Sequence, residues 1–149
     1  MTRVFWRISN HADLSGIGGT ITAGRWHHKG LPIVYLADSP ATALLEVLVH
    51  FEMSIDELPD RLTLLRVELP STLREASIEG HLPDDWHQQQ HLTRSLGSQW
   101  LREGSTLLLK VPTAIVPHNC NYLFNPHHPE ASLAKLSVEQ FPVDPRLVS

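Results

Sequence analysis

The chain has 149 residues, with 12 Lys+Arg against 16 Asp+Glu, 10 His and a single Cys. That length suits one domain over 1–149, and a hydrophobic fraction of 42% excludes global disorder. A net charge of −4 gives no basic footprint for nucleic acid, one cysteine excludes an internal disulfide, and no apolar run approaches the roughly 20 residues of a membrane span. The expectation is a cytoplasmic protein without direct contact to nucleic acid or membrane.

In chain order, Val4-Phe5-Trp6-Arg7-Ile8 is short, apolar and β-prone, and reads as a first strand. Glycines 16, 18, 19, 24 and 30 follow, a density that implies positive φ angles or a closely approached backbone. They do not make a dinucleotide fingerprint. Counting from Gly16 puts Ile21 where the last glycine of G-x-G-x-x-G belongs, and β-branched Thr20-Ile21-Thr22 is a poor helix opening. Without a Gly-Lys-Ser/Thr loop either, neither standard nucleotide fold is indicated, and the stretch is either a flexible connection between strands or a backbone that a ligand or another segment approaches closely. Ile33–Ala37 reads as a second strand. It leads into Asp38-Ser39-Pro40, where Ser39 suits an N-cap and Pro40 the first helical position. The helix should run from about Pro40 to Phe51, with Ala41, Leu44, Leu45, Leu48 and Phe51 as its apolar face.

Leu62–Leu69 is a β-prone run closed by Pro70, and His81–Trp86 looks irregular. Gln90–Glu103 reads as a helix that Gly97 weakens by up to ~1 kcal/mol relative to alanine. Thr106–Val111, Ala114–Val116 and Tyr122–Phe124 read as strands. Asn125-Pro126, Pro142 and Pro145 keep the C-terminal region loop-rich. Strands outnumber helices without alternating with them, which favours an α+β fold.

Several residues could carry chemistry. The Arg25 guanidinium beside Gly24 can fork onto a phosphate, and the Trp26 indole offers a stacking face; the alternative is a surface arginine beside a core tryptophan. Arg7 carries the same ambiguity. Glu46 points away from the Ala41/Leu44/Leu45/Leu48 stripe and shares a face with Thr42 and His50. It is then either half of a solvated Glu46–His50 pair or a carboxylate facing a cleft. His87 and His91 have the i,i+4 spacing of a helical metal pair, without the glutamate of a zinc-protease helix and without an obvious third ligand. No metal site is expected.

Taken together, these segments resemble the RES-domain family, the toxins of toxin–antitoxin pairs whose partners are Xre-type antitoxins. The likeness is carried in order by Val4–Ile8, Leu14-Ser15-Gly16, Gly24-Arg25-Trp26, Gly30–Leu36, Ser39–His50, Leu82–Trp86, Gly97–Leu101, Val111–Pro117 and Asn121–Pro129. The resemblance implies a single RES domain similar to the ADP-ribosyltransferase fold, a split β-structure with flanking helices forming an NAD cleft. It implies NAD as substrate and no prosthetic group. Arg25 and Glu46 would be the family's Arg and Glu, with Arg7, Trp26 and Tyr35 as further NAD-binding residues. Thr113 stands where the family's Ser is expected, with Ser105 a poorer alternative, and His27 stands where Asn usually follows Gly-Arg-Trp.

The chemistry suits those residues. Nicotinamide is a cationic leaving group, and a carboxylate such as Glu46 stabilises the oxocarbenium-like transition state. Tyr35 would position the nicotinamide end, Arg7 and Arg25 the pyrophosphate, and Thr113 a nicotinamide or ribose group. The expected activity is NAD hydrolysis or phosphorolysis, with mono-ADP-ribosylation of a host protein as the alternative. A non-catalytic metal- or partner-binding module is the reading of a different class. The implied partner is an Xre-type antitoxin blocking the cleft, and homodimerisation is left open.

Overall fold

The computed structural model describes residues 1–50 and 59–147, and of His50 only the backbone. The strands are β1 (Thr2–Ile8), β2 (Val34–Ala37), β3 (Arg61–Pro70), β4 (Glu75–Ser77), β5 (Leu108–Pro112), β6 (Cys120–Phe124) and β7 (Lys135–Pro142). The α-helices are α1 (Ile17–Ile21), α2 (Pro40–His50) and α3 (Gln90–Glu103). One sheet takes the order β4-β5-β6-β2-β1-β3-β7, antiparallel except for the β4–β5 pair.

The sheet has a seam. β1 pairs with β3 along its length, from Thr2↔Pro70 to Ile8↔Leu64, but meets β2 only at Trp6↔Ala37. Two arms, β4-β5-β6-β2 and β1-β3-β7, are therefore joined weakly and can diverge. The result is a mixed sheet with flanking helices, the α+β fold expected, its two arms meeting at a narrow seam.

Strand alternation sends side chains to two faces. Phe5, Val34, Leu36, Val67, Tyr122 and Phe124 bury one face. On the other, Leu109, Val111 and Leu123 pack with Trp26, Trp100 and Leu101, the last two from α3. Burying a side chain of this size stabilises by roughly 1.5–3 kcal/mol, so the tryptophans of the second cluster anchor α3 to the β5–β6 arm.

Three expectations change. The Ala41/Leu44/Leu45/Leu48 stripe is not the buried face of α2, although Ala41 and Leu44 border Ile8, Leu64 and Phe141 of the β1-β3-β7 arm. α2 buries Thr42, Ala43 and Val47 and half-buries Glu46, leaving Leu45 37% exposed. The reason is polar pairing, because Asn119 Nδ2 donates to Thr42 Oγ1 (3.0 Å) and Asn121 Nδ2 to Glu46 (2.6 Å), so β6 and the turn before it hold the polar side of α2. Phe51 lies outside the described residues. Ser39 does cap this helix, its Oγ accepting from Thr42 N–H at 3.1 Å.

Ala114–Val116 forms a bend, not a strand, because Thr113 Oγ1 accepts the Ile115 N–H (3.1 Å) and pulls the backbone off the ladder. The C-terminal region contains β7, which pairs with β3 from Lys135 to Pro142. As an edge strand with mostly exposed side chains it lacks the apolar signature of a buried one. The short β4 and the single-turn α1 are likewise additions. In α1, Thr20 Oγ1 bonds back to Ile17 O at 2.6 Å, so the β-branched run closes one turn and stops at extended Thr22.

Candidate active site

The β2-β6-β5 arm and α2 border a cleft of about 360 Å³ lined by Arg25, Trp26, Tyr35, Glu46, Val49, Pro112, Thr113, Ala114, Ile115 and Asn121. Its volume falls in the range of small-molecule sites. Arg25, Tyr35, Glu46 and Thr113, four residues from four segments, are brought to one place.

Glu46 is held from one side. Its Oε1 accepts from Asn121 Nδ2 at 2.6 Å and from Thr113 Oγ1 at 3.1 Å. The Thr113 hydroxyl also accepts from Ile115 N–H, so its one proton and one of its two lone pairs are used. Glu46 Oε2 has no partner among the described residues and is not buried. A carboxylate fixed through one oxygen presents the other, with its charge, to the cleft. Ser105 sits exposed in the turn after α3 and does not line the cleft, so Thr113 is the hydroxyl that the fold delivers.

The Gly24–His28 segment forms the opposite wall and is gripped by α3. Thr93 Oγ1 donates to Arg25 O (2.6 Å), Arg94 Nε to Gly24 O (2.8 Å), and His28 N–H to Ser98 Oγ (2.9 Å). Gly97 makes this approach feasible, since a Cβ there would stand 2.8 Å from the Trp26 carbonyl carbon and nearer still to its oxygen. Arg25 Nη1 donates to His87 O at 3.3 Å, leaving the rest of its guanidinium without a partner among the described residues.

His27 and Tyr35 form a buried strut. The Gly19 carbonyl can only accept, so His27 Nε2 (3.1 Å) carries the proton and Nδ1 is an acceptor. Nδ1 then receives the Tyr35 O–H at 2.7 Å and the Gly24 N–H at 3.2 Å, while the Tyr35 oxygen accepts from Trp26 N–H at 3.1 Å. A side chain at Gly24 would collide with the Tyr35 hydroxyl. Burial pushes the His27 imidazole below its ordinary range, against backbone acceptors that favour its charge, so it stays neutral. Burial also drives the Tyr35 phenol up, opposed by the Trp26 N–H and by cationic Arg94 and Arg25. With its hydroxyl engaged in the strut, Tyr35 meets the cleft through its ring.

Two anticipated site residues are placed differently from expectation. Trp6 sits directly opposite Ala37, so Trp6, Ala37 and Tyr35 share a face and Arg7 falls on the other, with Phe5. There burial lowers the Arg7 pKa while Asp13 supports its charge, and Arg7 does not line the cleft. Trp26 borders the cleft but is 3% exposed, packed on Trp86 at 5.6 Å between centroids, so its indole is core and not a free stacking face. Asn121, Arg94 and the strut role of His27 were not anticipated. The signal for Asn121 was its i, i+2 relation to buried Leu123 on β6.

The His87–His91 pair is not on one helix, since His87 belongs to a 3-10 turn before α3. His91 lies against His28, 5.5 Å between ring centroids. Among the described residues no group of three or more His, Cys, Asp or Glu side chains is placed to hold a metal ion, and no helix is long and apolar enough to cross a membrane. Cys120 donates its S–H to Glu79 at 2.9 Å, and burial with that carboxylate pushes its thiol up to about 11.

A family model for the RES domain matches residues 4–145. The chain belongs to the RES domain family. Two relatives match along nearly their full length. "Toxin Res" of Pseudomonas putida is 51% identical over 144 residues, covering 97% of this chain and 99% of that protein. The "Prs ADP-ribosylating toxin" of Sphingobium sp. is 40% identical over 160 aligned positions, covering 99% and 98%. Among solved structures, the M. tuberculosis MbcT–MbcA toxin–antitoxin complex contains a chain of the same fold, with a TM-score of 0.74 at 18% identity, covering 99% of this chain and 87% of that one.

Proposed function

We propose that this RES domain is the toxin of a toxin–antitoxin pair and that its cleft cleaves the nicotinamide–ribose bond of NAD. The observation that carries the reading is Glu46, tethered through Oε1 by Asn121 and Thr113 with Oε2 free on a cleft shared with Arg25 and Tyr35. In this reading the C1′–N bond breaks, the electron pair leaves with nicotinamide, and Glu46 Oε2 stabilises the positive charge developing on the ribose. Arg25 offers unpaired N–H groups to the pyrophosphate, and the Tyr35 ring flanks the nicotinamide end. NAD is the substrate, and the chemistry needs no prosthetic group. Arg7, on the other sheet face, is given no role in this step.

Water or phosphate would capture that anomeric carbon, giving ADP-ribose or its phosphate ester at the same carbon, with the nucleophile's proton lost to solvent. The Sphingobium relative's name supports a third acceptor, a protein side chain. All three share the bond-breaking step. The structural neighbour, a toxin–antitoxin complex, supports an antitoxin as partner; we assign it the Xre type and a position over the cleft. The test is incubation of purified protein with NAD in buffer, in phosphate and in lysate, with products separated by chromatography. Loss of NAD with release of nicotinamide supports the reading, and intact NAD in every arm overturns it.

A further inference from the structure

We propose that Asn121 is the positioning residue that aims Glu46, an assignment that rests on the reading of the cleft as an NAD-cleaving site. Its backbone is mounted rigidly. β6 runs between β5 and β2, and Asn121 stands opposite Val111 on one side and Ala37 on the other. From there only the Nδ2 end of the amide can donate to a carboxylate, so the 2.6 Å contact with Glu46 Oε1 dictates which way the amide faces.

That choice leaves a mark. The carbonyl end, Oδ1, is turned into the wall, buried and without a hydrogen-bond partner among the described residues; no other buried side-chain nitrogen or oxygen there is left so. Asparagines retained for stability pair both ends when buried. Here one end is left unsatisfied to keep the other on the carboxylate, which is the pattern of a group retained for function at the expense of stability. Thr113 shares Oε1, but its hydroxyl also accepts the Ile115 N–H and is tied to the 113–115 bend. Asn121 is the contact that comes from the sheet. With Oε1 fixed from two directions, the carboxylate cannot rotate to present both oxygens alternately, and Oε2 alone faces the substrate.

The experiment compares parent protein with Asn121→Leu and Asn121→Asp, following NAD turnover, melting temperature and the pH profile. Asn121→Leu removes the donor and the orphaned acceptor together. Its melting temperature should equal or exceed the parent's, while kcat falls by about ten- to a hundredfold and KM stays within about threefold. Asn121→Asp keeps the shape and sets one carboxylate against another. It can donate to Glu46 only when protonated, so its activity should recover toward acid pH and its optimum should lie below the parent's. Parent-like kcat in both variants overturns the proposal. So does an Asn121→Leu protein whose activity falls only in step with its folded fraction, or an Asn121→Asp profile parallel to the parent's. A parent that leaves NAD intact overturns the reading of the cleft, and this assignment with it.

Discussion

Replacing Gly97 with alanine should destabilise the protein, although alanine is the better helix former. In an unconstrained helix the change gains up to ~1 kcal/mol. At position 97, however, the new Cβ would stand 2.8 Å from the Trp26 carbonyl carbon, where ordinary contact begins at 3.4 Å, and the carbonyl oxygen is closer still. The obstacle is backbone, and its oxygen would lie so near that α3 and the Gly24–His28 segment must separate by more than about an ångström. That separation stretches the three bonds from Thr93, Arg94 and Ser98 to the segment, 2.6–2.9 Å long. Overpacking costs about 1–3 kcal/mol and each weakened hydrogen bond up to about 1 kcal/mol. Together these costs, about 1–6 kcal/mol, outweigh the propensity gain of up to ~1 kcal/mol by as much as about 5 kcal/mol. Urea unfolding should show a lower midpoint at unchanged slope, and the melting temperature should fall by about 2–4 °C per kcal/mol lost. Because the displaced segment carries Arg25, NAD turnover should fall as well. A Gly97→Ala protein as stable as the parent, or more stable, would refute this account of how α3 seats the cleft wall.

Other outcomes follow from the same geometry. Glu46→Gln should retain its melting temperature within a few degrees and lose about 10²–10³-fold in turnover, since it keeps the shape and removes the charge; turnover within threefold of the parent would contradict that role. Thr113→Ser should preserve activity because the hydroxyl is what reaches Glu46 (3.1 Å), whereas Thr113→Val should lose roughly tenfold; equal rates would show that the bond is idle. His27 is 2% exposed with its pKa lowered by burial, so between its ordinary 6.5 and its lower folded value the unfolded chain binds a proton that the fold refuses. Its contribution is complete above pH 6.5 and is lost as pH falls through that window, at no more than about 1.4 kcal/mol per pH unit. Urea titrations from pH 8 to 5 should show that slope in the parent and a shallower one in His27→Asn. Finally, Cys120, with its thiol pushed up to about 11, should alkylate at neutral pH far more slowly than a free thiol, and Glu79→Ala should speed it.

Much of the architecture was legible because it depends on local rules. Ser39-Pro40 opens α2, the Gln90–Glu103 periodicity spans α3, and the Leu62–Leu69 run lies inside β3. What escaped depends on partners distant in sequence. The leucine stripe of α2 has the right period for burial, yet Thr42 and Glu46 turn inward because Asn119 and Asn121, more than seventy positions away, meet them. Arg7 illustrates the same limit. A strand's alternation is visible in sequence, but which set of side chains meets the cleft is decided by the Trp6↔Ala37 register. Trp26 is apolar enough for either core or ligand, and only its packing on Trp86 decides. At the site, Glu46, Arg25, Tyr35 and Thr113 were recognisable from their family blocks, whereas the bonds that tether Glu46 needed the fold.

The most direct test of the central claim is NAD consumption by the purified protein beside Glu46→Ala, with products identified in buffers with and without phosphate and in lysate. The account predicts nicotinamide release by the parent and none above background by the variant, the second product naming the acceptor as water, phosphate or protein. NAD left intact by folded parent protein in every arm, or consumed equally by Glu46→Ala, would contradict it.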